Sequence, residues 1–76
     1  MNSSTVYITA PNGDRQCFDN HKTASRLLES ISEYKSRGLS LDTFSFHSLV
    51  ALVYKREGVS PEAIVDEFIS TDPEVM

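Results

Sequence analysis

The side chains able to do chemistry are few and scattered. Cys17 is the single thiol, and His21 and His47 are the two imidazoles. Neither histidine has a second ligand at helical metal spacing such as i+4, and no Cys/His cluster offers a structural metal its tetrahedral set. Cys17 falls in a stretch that reads as a strand, where a lone cysteine behaves as a small buried hydrophobe, and nothing beside it in sequence activates it. The carboxylates gather late: Glu57, Glu62, Asp66, Glu67, Asp72 and Glu74 follow one another with no Lys or Arg between them. Gly13, Gly38 and Gly58 each stand at a turn or a helix end, which leaves no glycine-rich loop for phosphate. No catalytic, metal or cofactor site is therefore expected.

The elements that must position these groups are clearer. Phe44 to Tyr54 is the densest apolar run. Phe46, Leu49, Val50, Val53 and Tyr54 fall at i, i+3, i+4, i+7 and i+8, the stripe of a core-facing helix. Phe44, Ala51 and Leu52 widen that stripe almost all the way round, which predicts a central helix with neighbours on more than one side. Ser40, Thr43 or Ser45 is the expected cap, and Leu39 to Phe44 also alternates well enough for a short extended segment.

Upstream, Thr5 to Thr9 is β-branched and aromatic, a strand composition. Ala10-Pro11-Asn12-Gly13-Asp14 follows. Proline presets φ for the first corner, asparagine suits the second, and glycine takes the left-handed position after it. That order predicts a type I turn with a glycine bulge rather than a two-residue Asn-Gly turn. The register then sets Thr9 opposite Arg15, Ile8 opposite Gln16, Tyr7 opposite Cys17 and Val6 opposite Phe18, with Val6, Ile8 and Phe18 on one face. Asp19 or Asn20 is placed to cap a helix to about Arg37, striped by Ala24, Leu27, Leu28, Ile31 and Tyr34 and stopped by Gly38. Ser60-Pro61 opens a last helix with Ile64, Val65, Phe68 and Ile69 inward, and Asp72-Pro73 ends it. The expected fold is α+β, an N-terminal β-hairpin packed on three helices (ββααα). It forms one small domain over residues 1–76, with 1–4 and 73–76 mobile.

Two short resemblances bear on function. Ser40-Leu41-Asp42-Thr43 resembles the run that begins with the modified serine of acyl carrier proteins, which implies phosphopantetheine on Ser40. That family carries Asp-Ser-Leu, whereas Leu39 stands here before the serine, and its all-helical fold has no hairpin. Val53 to Ile64, with Gly58-Val59-Ser60 at its centre, is similar to the turn of helix-turn-helix repressors. It implies a DNA-binding regulator with helices around 46–57 and 61–70. Tyr54 is bulky where that motif takes a small residue. The second helix would present Glu62, Asp66 and Glu67 to a polymer carrying one negative charge per ~1.7 Å of axis, so nucleic acid is not the expected partner.

The charge of −4 is unevenly spread: −1 over residues 1–21, +3 over 22–56 and −6 over 57–76. Lys22, Arg26, Lys35 and Arg37 make the first helix mildly basic. A single domain of 76 residues buries only about 60–65% of its unfolded surface. Its core rarely nets more than ~3–5 kcal/mol, and no disulfide is available to help. Association with a partner, a homodimer included, follows from that deficit. The lone thiol, the absence of a leader and the lack of any membrane-length apolar run point to the cytoplasm. The leading expectation is a non-enzymatic protein–protein interaction module. It would bind and regulate or inhibit a larger protein, using Glu57, Glu62, Asp66, Glu67, Asp72 and Glu74 against a basic surface.

Overall fold

The computed structural model describes residues 5–71. The two ends expected to be mobile, the Asp72-Pro73 stop, and Asp72 and Glu74 of the acidic set all lie outside the described residues. The element order is β1 (Val6–Thr9), β2 (Arg15–Phe18), α1 (His21–Ser36), α2 (Thr43–Lys55) and α3 (Pro61–Thr71). An antiparallel two-stranded ribbon followed by three helices is the α+β arrangement expected.

The turn residues set the ribbon. The Gly13 N–H donates to the Ala10 carbonyl at 2.9 Å, and the Ala10 N–H donates to the Asp14 carbonyl at 2.7 Å. Gly13 has φ +97°, the left-handed position that closes such a turn with a bulge. The Asn12 carboxamide oxygen accepts the Asp14 N–H at 3.1 Å and fixes the corner. The register is Val6↔Phe18, Tyr7↔Cys17, Ile8↔Gln16 and Thr9↔Arg15. Val6 and Ile8 are half-buried and Phe18 is fully buried, so one face of the ribbon meets the helices.

Asn20 caps α1, its side-chain oxygen accepting the Thr23 N–H at 2.9 Å. Ala24, Leu27 and Tyr34 are buried as the stripe requires, but Leu28 is 51% exposed. The inward face turns instead through Thr23, Leu27, Ser30 and Tyr34. Ser30 is tolerated there because its hydroxyl returns to the Arg26 carbonyl at 2.8 Å.

For α2 the cap is Asp42, whose carboxylate accepts the Ser45 N–H at 2.8 Å, and not Ser40, Thr43 or Ser45. A carboxylate is the stronger acceptor, and Ser45 is instead buried, its hydroxyl 3.1 Å from the Tyr34 hydroxyl of α1. Leu39 to Asp42 forms no strand. Ser60 caps α3, accepting the Ala63 N–H at 3.2 Å.

The largest departure concerns which helix is central. α1 packs against all four other elements, whereas α2 packs on α1 and α3. Phe46, Leu49, Val50 and Val53 are buried, but Phe44 is 65% exposed, Ala51 is exposed and Leu52 is half-buried. Tyr54 stacks on Phe18 with ring centroids 5.8 Å apart and its other side in water. A helix joined to its neighbours by short loops has only one side available to the core, so the added apolar width of α2 faces outward. The core joins Phe18, Leu27, Tyr34, Phe46, Leu49, Val53, Ile64, Val65 and Phe68 into one cluster.

Candidate functional site

The groups with nucleophilic or ligating chemistry stay apart. Cys17 is exposed on the outer face of the ribbon, opposite Tyr7, which corrects the expectation of a buried thiol. With Phe18 turned inward, the pleat forces its neighbour outward. His21 opens α1 and His47 sits on the outer face of α2, both exposed. Among the described residues no three His, Cys, Asp or Glu side chains come together as a metal site. Ser40 is exposed in the connection before α2.

The acidic segment meets cations of its own chain. Arg37, just past α1, lies 2.6 Å from the Asp66 carboxylate and 2.8 Å from Glu33. Its Nη2 also donates to the Glu62 carbonyl at 3.4 Å. These hydrogen bonds, Asp66 first and then Glu33, raise the guanidinium pKa further. Arg56 reaches across to Glu67 with two bonds, 2.9 and 3.1 Å, and that contact holds the Glu67 carboxyl below its ordinary pKa. Glu57 and Glu62 are exposed with no ion partner among the described residues. Sequence order therefore hid two cross-links: the −6 segment is anchored at Asp66 and Glu67 by arginines from the basic middle.

α2 and α3 are joined by a short turn at Gly58. Gly58 has φ +86°, Val59 is half-buried against the core, and the Val59 N–H donates to the Arg56 carbonyl at 3.1 Å. The outward side of α3 shows Glu62, Ala63, Asp66 and Ser70 and carries no cation.

One concave surface escaped the sequence altogether. A groove of about 410 Å³ runs between the ribbon, α1 and the connection into α2. Ile8 and Pro11 form one wall, Leu28 and Ile31 another, and Leu41 with Phe46 the third. Lys35 stands among them as the one charged lining residue, with no ion partner among the described residues. Leu28, turned out of the core, is what makes the groove apolar at its mouth. A second, shallower surface on α1 carries His21, Lys22 and Arg26 with Glu29 among them.

No known family model, curated protein or solved structure matches the chain.

The groove offers apolar walls to a side chain of Leu or Phe size, the Thr9 hydroxyl, and one ammonium to a neighbouring anion. Its signal lay in residues from three separate stretches, and Leu28, read from the sequence as part of the inward stripe of α1, did not point toward it. No helix among the described residues is long and apolar enough to cross a membrane.

Proposed function

We propose that this chain is a non-enzymatic protein-interaction module that binds a larger protein through the groove beside α1 and regulates or inhibits that protein by occupying it. The observation that carries the reading is the open apolar groove of Ile8, Pro11, Leu28, Ile31, Leu41 and Phe46 with Lys35 at its side. Charge complementarity specifies the occupant: a partner segment that inserts one large apolar side chain and sets a carboxylate near Lys35. Burial of such an anchor contributes roughly 1.5–3 kcal/mol, and the rest of the interface must come from the surrounding surface.

The test compares wild-type chain with Leu28→Asp, Lys35→Glu and Glu62→Gln as immobilised baits for one native lysate. The expected result is a stoichiometric partner held by wild type and by Glu62→Gln, lost with Leu28→Asp and weakened with Lys35→Glu. A partner whose retention ignores Leu28 and Lys35 overturns the groove. Circular dichroism of Leu28→Asp keeps the comparison fair, since residue 28 is already half in water.

A second reading uses the acidic segment against a basic surface, favoured by Glu57 and Glu62 standing exposed without ion partners among the described residues. Its mark is salt: exposed charges are screened over about 10 Å at 0.1 M, so this binding weakens steeply between low and moderate salt, and groove binding does so much less.

A further inference from the structure

We propose that the occupant of the groove is an extended partner segment that adds to the open edge of β1 as a further strand. This rests on the groove reading and gives the partner its backbone conformation.

The ribbon leaves β1 with an unpaired side. The sheet has two strands, so β1 meets β2 along one edge and no strand along the other. The Ala10 N–H points to Asp14, which sets the alternation along β1. Ile8 and Val6 bond to β2, and Tyr7 and Thr9 turn their N–H and C=O groups away from it. Both residues are exposed, and nothing among the described residues bonds to these outward groups.

That edge is unguarded. Val6–Thr9 is Val-Tyr-Ile-Thr, β-branched or aromatic throughout, with neither charge nor proline. Exposed edges are commonly blunted by a charge or a proline, and β2 has Arg15. β1 is the edge left fit to accept a strand.

The groove lies along the same edge. Ile8 and Thr9, both of β1, are its strand residues. A segment paired with β1 sends alternate side chains to the helix side of the sheet, where Leu28, Ile31, Leu41 and Phe46 stand. Main-chain bonds to Tyr7 and Thr9 then supply affinity that a single apolar anchor lacks.

Charge decides whose strand it is. Lys35 lines the groove with no ion partner among the described residues, so the segment carries a carboxylate on its groove-facing side. The β1 of a second copy has no carboxylate to give, and its Val6 and Ile8 are half-buried in its own fold. The occupant is a strand of another protein in which an acidic and a large apolar residue stand two positions apart.

The test uses a peptide of that pattern, acetyl-Asp-Thr-Leu-Thr-Asp-amide, and nuclear magnetic resonance of the wild-type chain. Saturation is expected to slow amide hydrogen exchange at Tyr7 and Thr9 at least ~tenfold, and at Ile8, already bonded to β2, far less. Two further peptides are N-methylated, one at both threonines and the other at leucine and the last aspartate. Each loses the N–H groups of one side of the strand. One is therefore expected to bind at least ~tenfold more weakly and the other to match the parent; loss with the threonines marks antiparallel pairing, loss with leucine parallel. Equal affinities for the two methylated peptides, or exchange at Tyr7 and Thr9 that ignores the parent peptide, overturn strand addition. So does a parent peptide that fails to bind up to millimolar concentration. The groove is judged apart, by the dependence of the lysate partner on Leu28. Binding that needs Leu28 but is indifferent to the edge N–H groups keeps the groove and removes the strand.

Discussion

α1 and α2 are alike in length and were both expected to bury an apolar stripe, yet the molecule uses them differently. α1 is the less apolar of the two and packs against every other element; α2 is denser in apolar side chains and packs on its two helical neighbours, reaching the ribbon through the stack of Tyr54 on Phe18. α1 follows a hairpin whose inner face needs cover and precedes two helices that need a platform, so chain order puts it in the middle. α2 lies one layer further out. Its surplus of apolar side chains exceeds what one buried side can absorb. Apolar density therefore measures how much surface a helix offers, and connectivity decides how much of it the fold can take.

The sharpest way to break this comparison is one truncation in each helix. Leu27→Ala on α1 removes a side chain with no solvent exposure and is expected to cost about 2–5 kcal/mol, most of what a domain this size holds. Phe44→Ala on α2 deletes a larger side chain, but one 65% exposed, and is expected to stay within about 0.5 kcal/mol in dilute solution. Urea denaturation at low protein concentration reads both. If Phe44→Ala proved as costly as Leu27→Ala there, α2 would be central after all. A cost for Phe44→Ala that grows with concentration would instead report self-association.

The hairpin and the caps of α1 and α3 were legible because local chemistry decides them. Pro11, Asn12 and Gly13 each suit one corner of one turn, and that turn fixed the register with Phe18 inward. The same register already turned Cys17 outward, since Tyr7 and Cys17 share the face opposite Phe18; the preference of cysteine for burial was followed instead. Leu28 and the outer side of α2 were not legible. Periodicity gives a stripe's direction only to within about one residue, and Thr23 and Ser30 are buried in α1 where Leu28 is not, the Ser30 hydroxyl bonding the Arg26 carbonyl. The groove needed three stretches to meet, and the ties of Arg37 to Asp66 and Arg56 to Glu67 needed helix crossings that no local pattern encodes.

The contact between the two helices offers an intermediate test. The hydroxyls of Tyr34 on α1 and Ser45 on α2 are 3.1 Å apart and buried. Tyr34→Phe is expected to cost about 0.5–1.5 kcal/mol, somewhat more if Ser45 is left without a partner. A double-mutant cycle with Ser45→Ala sharpens the result: a coupling of at least ~0.5 kcal/mol assigns the loss to the bond joining the helices. Additive costs would mean that each hydroxyl acts alone and that α1 grips α2 through apolar packing only.

The smallest effect separates the helices by acid. Asn20, which caps α1, does not titrate, but Asp42, which caps α2, does. The Ser45 backbone N–H, and after it the Ser45 hydroxyl, hold the Asp42 carboxyl below its ordinary pKa of 3.8, and Arg56 holds Glu67 below 4.5. A carboxyl whose folded pKa is depressed stabilises the fold above its unfolded pKa and loses that contribution as pH falls through the folded value. The urea midpoint is therefore expected to stay level from neutral pH down to about 5 and then to fall. Asp42→Asn keeps an oxygen for the cap and Arg56→Gln removes the tie to Glu67, so the two together flatten the acid limb. Both sites are exposed, and the change is a modest shift of slope rather than a collapse. A midpoint already falling between pH 7 and 5 would assign the sensitivity to an imidazole. A limb unchanged in the double variant would take it away from Asp42 and Glu67.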